Sequence, residues 1–268
     1  MPHASHLLMV VLAAALADGG APALIDGGTP APTIGATPAP AMGDTSVPAL
    51  RAMPAPAIEG GSGPAIRAAP APAVGEHQAV IPLENFKVFK QDSGPVNYYE
   101  VVSDGDTRMI RGVYTPPLGN VVLYAETPDK AWHSVKQVSW RWRVHALPKD
   151  ANDCGPGFSD NAASVFLAFK AGIKIMVLKY AWSTLGTAGT SCVSSRGWFF
   201  DRDTILLRTG GPLNVWETVE VDPRAEFVKH YGGKLQDVPD FVGLGLMTDG
   251  DNSQSPAEGD YADFTVRW

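Results

Sequence analysis

From residue 81 onward the chain falls into short runs of alternating or β-branched residues, separated by Gly, Pro, Asp and Asn. A hydrophobic period of two, bounded by turn formers, predicts strands. They fall at 86–90, 98–103, 108–114, 121–126, 138–145, 163–170, 173–182, 198–200, 204–208, 215–221, 241–247 and 262–268. Asp104-Gly105 and Ala171-Gly172 supply hairpin turns. One helix is expected near 222–231: Asp222 is a good N-cap, Pro223 suits the first helical position, Ala225, Val228 and Tyr231 recur at helical spacing, and Gly232-Gly233 stop it. Many strands with one short helix predict an all-β fold, an antiparallel β-sandwich of jelly-roll type. One helix cannot cover a parallel sheet, which excludes a doubly wound nucleotide-binding fold. No G-x-G-x-x-G, P-loop, G-x-S-x-G or H-E-x-x-H motif is present.

Ahead of this region the pattern disappears. Residues 18–80 contain no aromatic side chain but 11 of the 23 prolines, and so cannot build a core. A Pro-Ala-Pro phrase recurs there at Pro30, Pro38, Pro54 and Pro70, with Gly between, which predicts a disordered Ala/Pro/Gly-rich spacer reaching on the order of 200 Å when extended. Residues 7–16 form a short apolar run ending in Ala15-Leu16-Ala17, which reads as a signal peptide over 1–17 cleaved after Ala17. The opposing reading is an apolar accident, since the preceding MPHASH carries neither Lys nor Arg. The run is about half of the ~20 residues a spanning helix needs, so no transmembrane anchor is expected and the protein reads as secreted or periplasmic. The folded domain is assigned to 81–268. Net charge is −7, and without a basic footprint no nucleic-acid partner is expected.

Both cysteines, Cys154 and Cys192, fall inside the domain. In an exported protein they are expected to form one disulfide, with two buried thiols as the alternative. Neither has a second Cys or a His at ligand spacing, so a zinc site is not expected.

Several phrases, in order, resemble the pattern of one known family. Trp140-Arg141-Trp142-Arg143-Val144 is similar to its L-x-W-x-W-x-V strand, Asp160-Asn161-Ala162-Ala163 to its acidic opening of the next strand, and Leu178-Lys179-Tyr180-Ala181-Trp182-Ser183 to its Y-x-W-S strand. Trp216-Glu217, the Asp222 helix, Thr248-Asp249-Gly250-Asp251-Asn252-Ser253 and Tyr261-Ala262-Asp263-Phe264 match later parts of its pattern. In these residues and their order the chain resembles the DUF3047 family of bacterial exported proteins of unknown function; the resemblance spans about 83–268 and implies an exported β-sandwich without supplying a reaction. One departure stands out: where the family often has Arg in the strand that Asp160 opens, this chain has Ser164.

Three constellations could carry chemistry. Asp249, Asp251 and Ser253 offer oxygens at i, i+2 and i+4 on a Gly-containing loop, with Asp260 and Asp263 close behind, a pattern that suits a structural Ca²⁺. It is no EF-hand, because the sixth loop position is Gln254 and the twelfth is Asp260. The competing reading is a solvated turn whose carboxylates cap the backbone. Trp140 and Trp142 share one face of a strand and Arg141 and Arg143 the other. With Trp182, Trp198 and Trp216 these rings are candidates to stack on sugars, or else core residues behind a salt-bridged polar face. Finally, Glu217, Glu220, Asp222 and Asp260 are candidates for a catalytic carboxylate pair. The reading that follows is a non-catalytic secreted β-sandwich whose partner is an envelope or extracellular glycan. The rivals are a glycan-active hydrolase or lyase and a structural surface domain without a small ligand.

Overall fold

Along Gln137–Ala146 every second residue from Val138 to Val144 is buried, the mark of a strand with one face on a core. Twelve further strands accompany it among the residues that the computed structural model describes, 77–91 and 96–268. In chain order the strands are β1 (Gln78–Val80), β2 (Lys87–Gln91), β3 (Tyr99–Asp104), β4 (Thr107–Tyr114), β5 (Val121–Glu126), β6 (Gln137–Ala146) and β7 (Asn161–Ala171). They continue as β8 (Lys174–Ser183), β9 (Ser191–Arg196), β10 (Phe200–Thr209), β11 (Glu217–Val221), β12 (Asp240–Asp249) and β13 (Ala257–Arg267). The expected signal peptide and spacer residues 18–76 lie outside the described residues. The fold starts three residues earlier than expected, because β1 pairs with the last strand, Gln78 opposite Arg267.

Two sheets form the sandwich. One runs β11-β6-β13-β4-β3, with β1 and β4 sharing one edge of β13: β4 takes Ala257–Tyr261 and β1 takes Thr265 to Arg267. The other runs β2-β5-β12-β7-β8-β10-β9. The single α-helix among the described residues, α1 (Pro223–Tyr231), is capped as its sequence predicts: the Asp222 carboxylate accepts from the backbone N–H groups of Arg224 and Ala225, and Gly232 ends it at φ 78°.

The sheets are antiparallel but for one pair, β8 with β10. The cause is β9, a strand that the hydrophobic pattern does not announce. It turns the chain back once between β8 and β10, so β10 returns parallel to β8 with β9 on its outer edge. The expected disulfide joins Cys192 of this edge strand to Cys154, with Cα atoms 5.5 Å apart. It ties β9 to the segment before β7, from which Asp153 reaches the fully buried ammonium of Lys179 at 3.1 Å.

The aromatic strand phrases build the core. Trp140 and Trp142 point inward from β6 and meet Tyr180 and Trp182 of β8 at ring separations of 5.5 and 5.8 Å. All four are essentially without solvent contact. As ligand-stacking residues Trp140, Trp142 and Trp182 are therefore corrected: they are the inter-sheet packing, where each large ring contributes several kcal/mol of burial.

Candidate functional site

With the tryptophans inward, the alternate residues of β6 face solvent, and register arranges them. Asp260 on β13 lies directly opposite Arg111 of β4 on one side and Arg143 of β6 on the other. Glu100 of β3 stands opposite Arg111 in turn. Directly opposed residues project to the same face of a sheet, so a row of alternating charge, Glu100, Arg111, Asp260 and Arg143, crosses four strands on the outer face.

At its centre Asp260 is fully buried. It accepts from Arg111 Nε at 2.7 Å and Nη2 at 3.0 Å, and from Arg143 Nε at 2.9 Å and Nη2 at 2.6 Å. His145 Nε2 is 2.7 Å away, its other ring nitrogen 2.6 Å from Asn214 Oδ1. Burial pushes the Asp260 pKa up, but hydrogen bonds from Arg111, His145 and Arg143 outweigh it and hold the carboxyl below the usual carboxylate range. Over this row lies Trp216, just before the edge strand β11, with the guanidinium carbons of Arg141 and Arg143 4.8 and 4.7 Å from its ring centre. The ring is half-buried. Arg141 continues to Asp263, 2.9 Å away.

A cleft opens beside this pair. Because β4 leaves β13 at Tyr261 and β1 joins it at Thr265, Ala262 and Asp263 have no strand partner on that edge. Asp263 there adopts φ 56°, and the register with β6 slips between Ala262 and Thr265. The gap has a volume of about 560 Å³, within the range of ligand pockets, and Arg141, Asp263, Arg108, Glu84 and Asp106 line it.

The four carboxylates singled out for catalysis do not converge. Glu217 is opposite inward-facing Trp142, and Glu220 opposite outward-facing Ser139, so these two lie on opposite faces of the sheet. Glu217 is paired with Arg208, Glu220 accepts from Gln137 Nε2 at 3.2 Å, and Asp222 caps α1. Glu220 and Asp260 share the outer face, but four residues of β6 and two strand spacings separate them, on the order of 15 Å. Glycosidase pairs stand roughly 5 to 9.5 Å apart. Asp260, with both oxygens taken by two arginines and a histidine, is a structural anion.

The acidic loop also divides. Asp249 and Asp251 come together, but the third carboxylate beside them is Asp160, not Asp260 or Asp263; oxygens of these three lie within 4.8 Å of one another. At that separation like charges repel by about 3.5 kcal/mol per pair at an effective dielectric of ~20. Asp260 and Asp263 are corrected as metal ligands, since Asp260 belongs to the arginine row and Asp263 pairs with Arg141. Ser253 turns its hydroxyl to Ser255, 2.7 Å away, and offers Asp160 only its backbone N–H, at 2.7 Å. Asp160 also accepts from the backbone N–H and side-chain Nδ2 of Asn252 at 3.1 and 3.2 Å. No arginine answers Asp160 from β7; Ser164 there donates to the carbonyl of Met247 at 3.0 Å, a neutral link between β7 and β12. Nearby, burial and then the charges of Asp251, Asp249 and Asp160 push the Tyr114 hydroxyl up to about 12.

Trp198 is 92 % exposed in the turn between β9 and β10, on the other sheet from Trp216. Arg111, His145 and Asn214 were not among the expected site residues, and nothing in their own sequence neighbourhoods marks them: register brings Arg111 opposite Asp260, His145 follows two residues after Arg143 on β6, and Asn214 reaches only the other ring nitrogen of His145.

Comparison with known proteins adds a family and distant likenesses. Residues 87–265 match the family described as a protein of unknown function, DUF3047. No curated protein matches the chain. Among solved structures, the family 11 carbohydrate-binding module of the cellulosomal cellulase Lic26A-Cel5E of Clostridium thermocellum is 13% identical, with 73% of this chain and 95% of that chain covered and a TM-score of 0.40. An ENZbleach xylanase mutant is 12% identical over 70% and 83%, with a TM-score of 0.36. The catalytic domain of Humicola grisea Cel12A is 9% identical over 64% and 98%, with a TM-score of 0.30. Likenesses this distant decide nothing about what the chain binds.

Proposed function

The chain belongs to the DUF3047 family, whose description assigns no activity, and from its own surface we propose that it is an exported, non-catalytic module that binds a glycan on the outer face of the six-stranded sheet. The observation that carries this reading is Trp216 laid over Arg141 and Arg143. Both arginines rise from the same face of β6 and pack on the indole, and the half-buried ring keeps part of its surface in solvent, where a sugar's C–H face can meet it. Arg141 reaches from that ring into the cleft at Asp263, so an aromatic platform and a groove lined by both charged and apolar residues share a residue. Ion pairs hold the surrounding donors and acceptors in place before any ligand arrives, which lowers the entropic cost of binding. Separation of the four candidate carboxylates favours binding over hydrolysis. The Cys154–Cys192 disulfide fits an oxidising compartment outside the cytoplasm. No helix among the described residues is long and apolar enough to cross a membrane.

A glycan array probed with the full chain tests the reading. Retention on a defined group of glycans, lost in Trp216→Ala but kept in Trp198→Ala, is expected. Retention of none, or a loss confined to Trp198→Ala, would move the ligand off this face or remove it.

A further inference from the structure

The end of the seven-stranded sheet at which β5 and β7 begin and β12 ends brings together residues from three neighbouring strands. Asn120 immediately precedes β5, Asp249 ends β12, and Asp160 and Asn161 open β7; β5, β12 and β7 are adjacent in that order. Asp160 and Asp249 are fully buried and Asp251 is half-buried. Loop capping explains part of the cluster, because Asp160 accepts the backbone N–H groups of Asn252 and Ser253. It does not explain Asn161. That side chain has no solvent exposure, and neither its amide oxygen nor its nitrogen has a hydrogen-bond partner among the described residues. It is the register partner of Asp249, so its amide projects beside that carboxylate. Asn120, 1% exposed, donates to Asp251 Oδ2 at 3.1 Å while its own oxygen has no partner among the described residues.

Buried amide oxygens without donors, beside three crowded carboxylates, are costly in an apo protein and are what a hard cation satisfies. Oxygens spread over 4.8 Å fit around an ion held at about 2.4 Å from each. We propose that Asp160, Asp249 and Asp251, with the amide oxygens of Asn161 and Asn120, bind a Ca²⁺ ion that clamps β5, β7 and β12 together. The site lies on the other sheet from the Trp216 face, and it stands whether or not that face binds glycan.

Calorimetric titration of chelator-treated full chain with CaCl₂, alongside melting curves, tests this. One saturable site is expected, with a Tm rise of about 5–10 °C at a hundredfold excess over Kd. Asp251→Asn, a change at a half-exposed carboxylate, and Asn161→Ala are each expected to weaken binding at least about tenfold. Terbium reads the unmutated site directly: emission sensitised by Tyr114 and by Tyr98, whose hydroxyl donates to the carbonyl of Thr248 at 2.8 Å, and quenched by added Ca²⁺ is the expected result. Absence of both heat and Tm rise in wild-type protein that is folded by circular dichroism would overturn the proposal. So would unaltered affinity in both variants, or Mg²⁺ binding as tightly as Ca²⁺.

Discussion

Asp260 and Arg143 face each other in register across β13 and β6, with Arg143 Nη2 2.6 Å from Asp260 Oδ2, and Arg111 repeats the relation from β4. A fully buried carboxylate between two guanidinium groups can be replaced only at the expense of both. Asp260→Asn is expected to lower stability by about 3 kcal/mol, because it leaves Arg111, Arg143 and His145 without their shared anion. Urea denaturation measures it; a change below about 0.5 kcal/mol would mean that the row is solvated and contributes little.

The same carboxylate sets a pH dependence. Its folded-state pKa is depressed, so its contribution is fully present above the ordinary Asp value near ~3.9 and is lost as pH falls through the depressed one. The gap in Tm between wild type and Asp260→Asn is therefore expected to be constant from about pH 5 to 6 and to close towards pH 2. A gap that widens in acid would reverse the sign and the assignment.

Core and surface tryptophans separate in a second pair of variants. Trp142→Ala removes a ring packed between the sheets against Trp182 and is expected to cost about 3–5 kcal/mol. Trp198→Ala, at a 92 % exposed position, is expected to change stability by no more than ~0.5 kcal/mol. Chemical denaturation of both variants checks the burial assigned to each.

Much of this architecture was legible because its strands are short alternating or near-continuous apolar runs bounded by turn residues. β6 is the clearest case, and Asp222-Pro223 with Gly232 marks both ends of α1. The alternation of Trp140, Arg141, Trp142 and Arg143 put the rings on one face but did not say which face was covered; Tyr180 and Trp182, some 40 residues on, decide that. β10 reads as two pieces because Asp201, Arg202 and Asp203 interrupt its apolar run. They are nevertheless buried: Lys174 pairs with Asp201, and Arg196 and His230 pair with Asp203. β9 is largely exposed and half Ser, without a hydrophobic period, and its place is defined by pairing with β10 and by Cys192. The charged row and the acidic cluster were the least legible parts. Arg111 and Asp260 are 149 residues apart, and Asp160 and Asp249 meet only because β7 and β12 are neighbours.

The disulfide gives a further expectation. Closing a loop of 38 residues removes unfolded-state entropy worth about 4 kcal/mol on the chain-entropy model. The paired change Cys154→Ser with Cys192→Ser is expected to lower stability by up to that amount and to raise hydrogen exchange first in β9, the edge strand it holds. Equal exchange in β9 of both proteins would show that β10 pairing alone fixes it.

The glycan-binding face is tested most directly by co-sedimentation of the full chain with insoluble polysaccharides, using cellulose, chitin and peptidoglycan sacculi. Wild-type protein is expected to sediment with at least one of them, and Trp216→Ala to remain in the supernatant with its melting temperature within ~2 °C of wild type. If no polysaccharide retains the wild-type chain, or if Trp216→Ala sediments as well as wild type, the outer face of the six-stranded sheet is not a glycan platform.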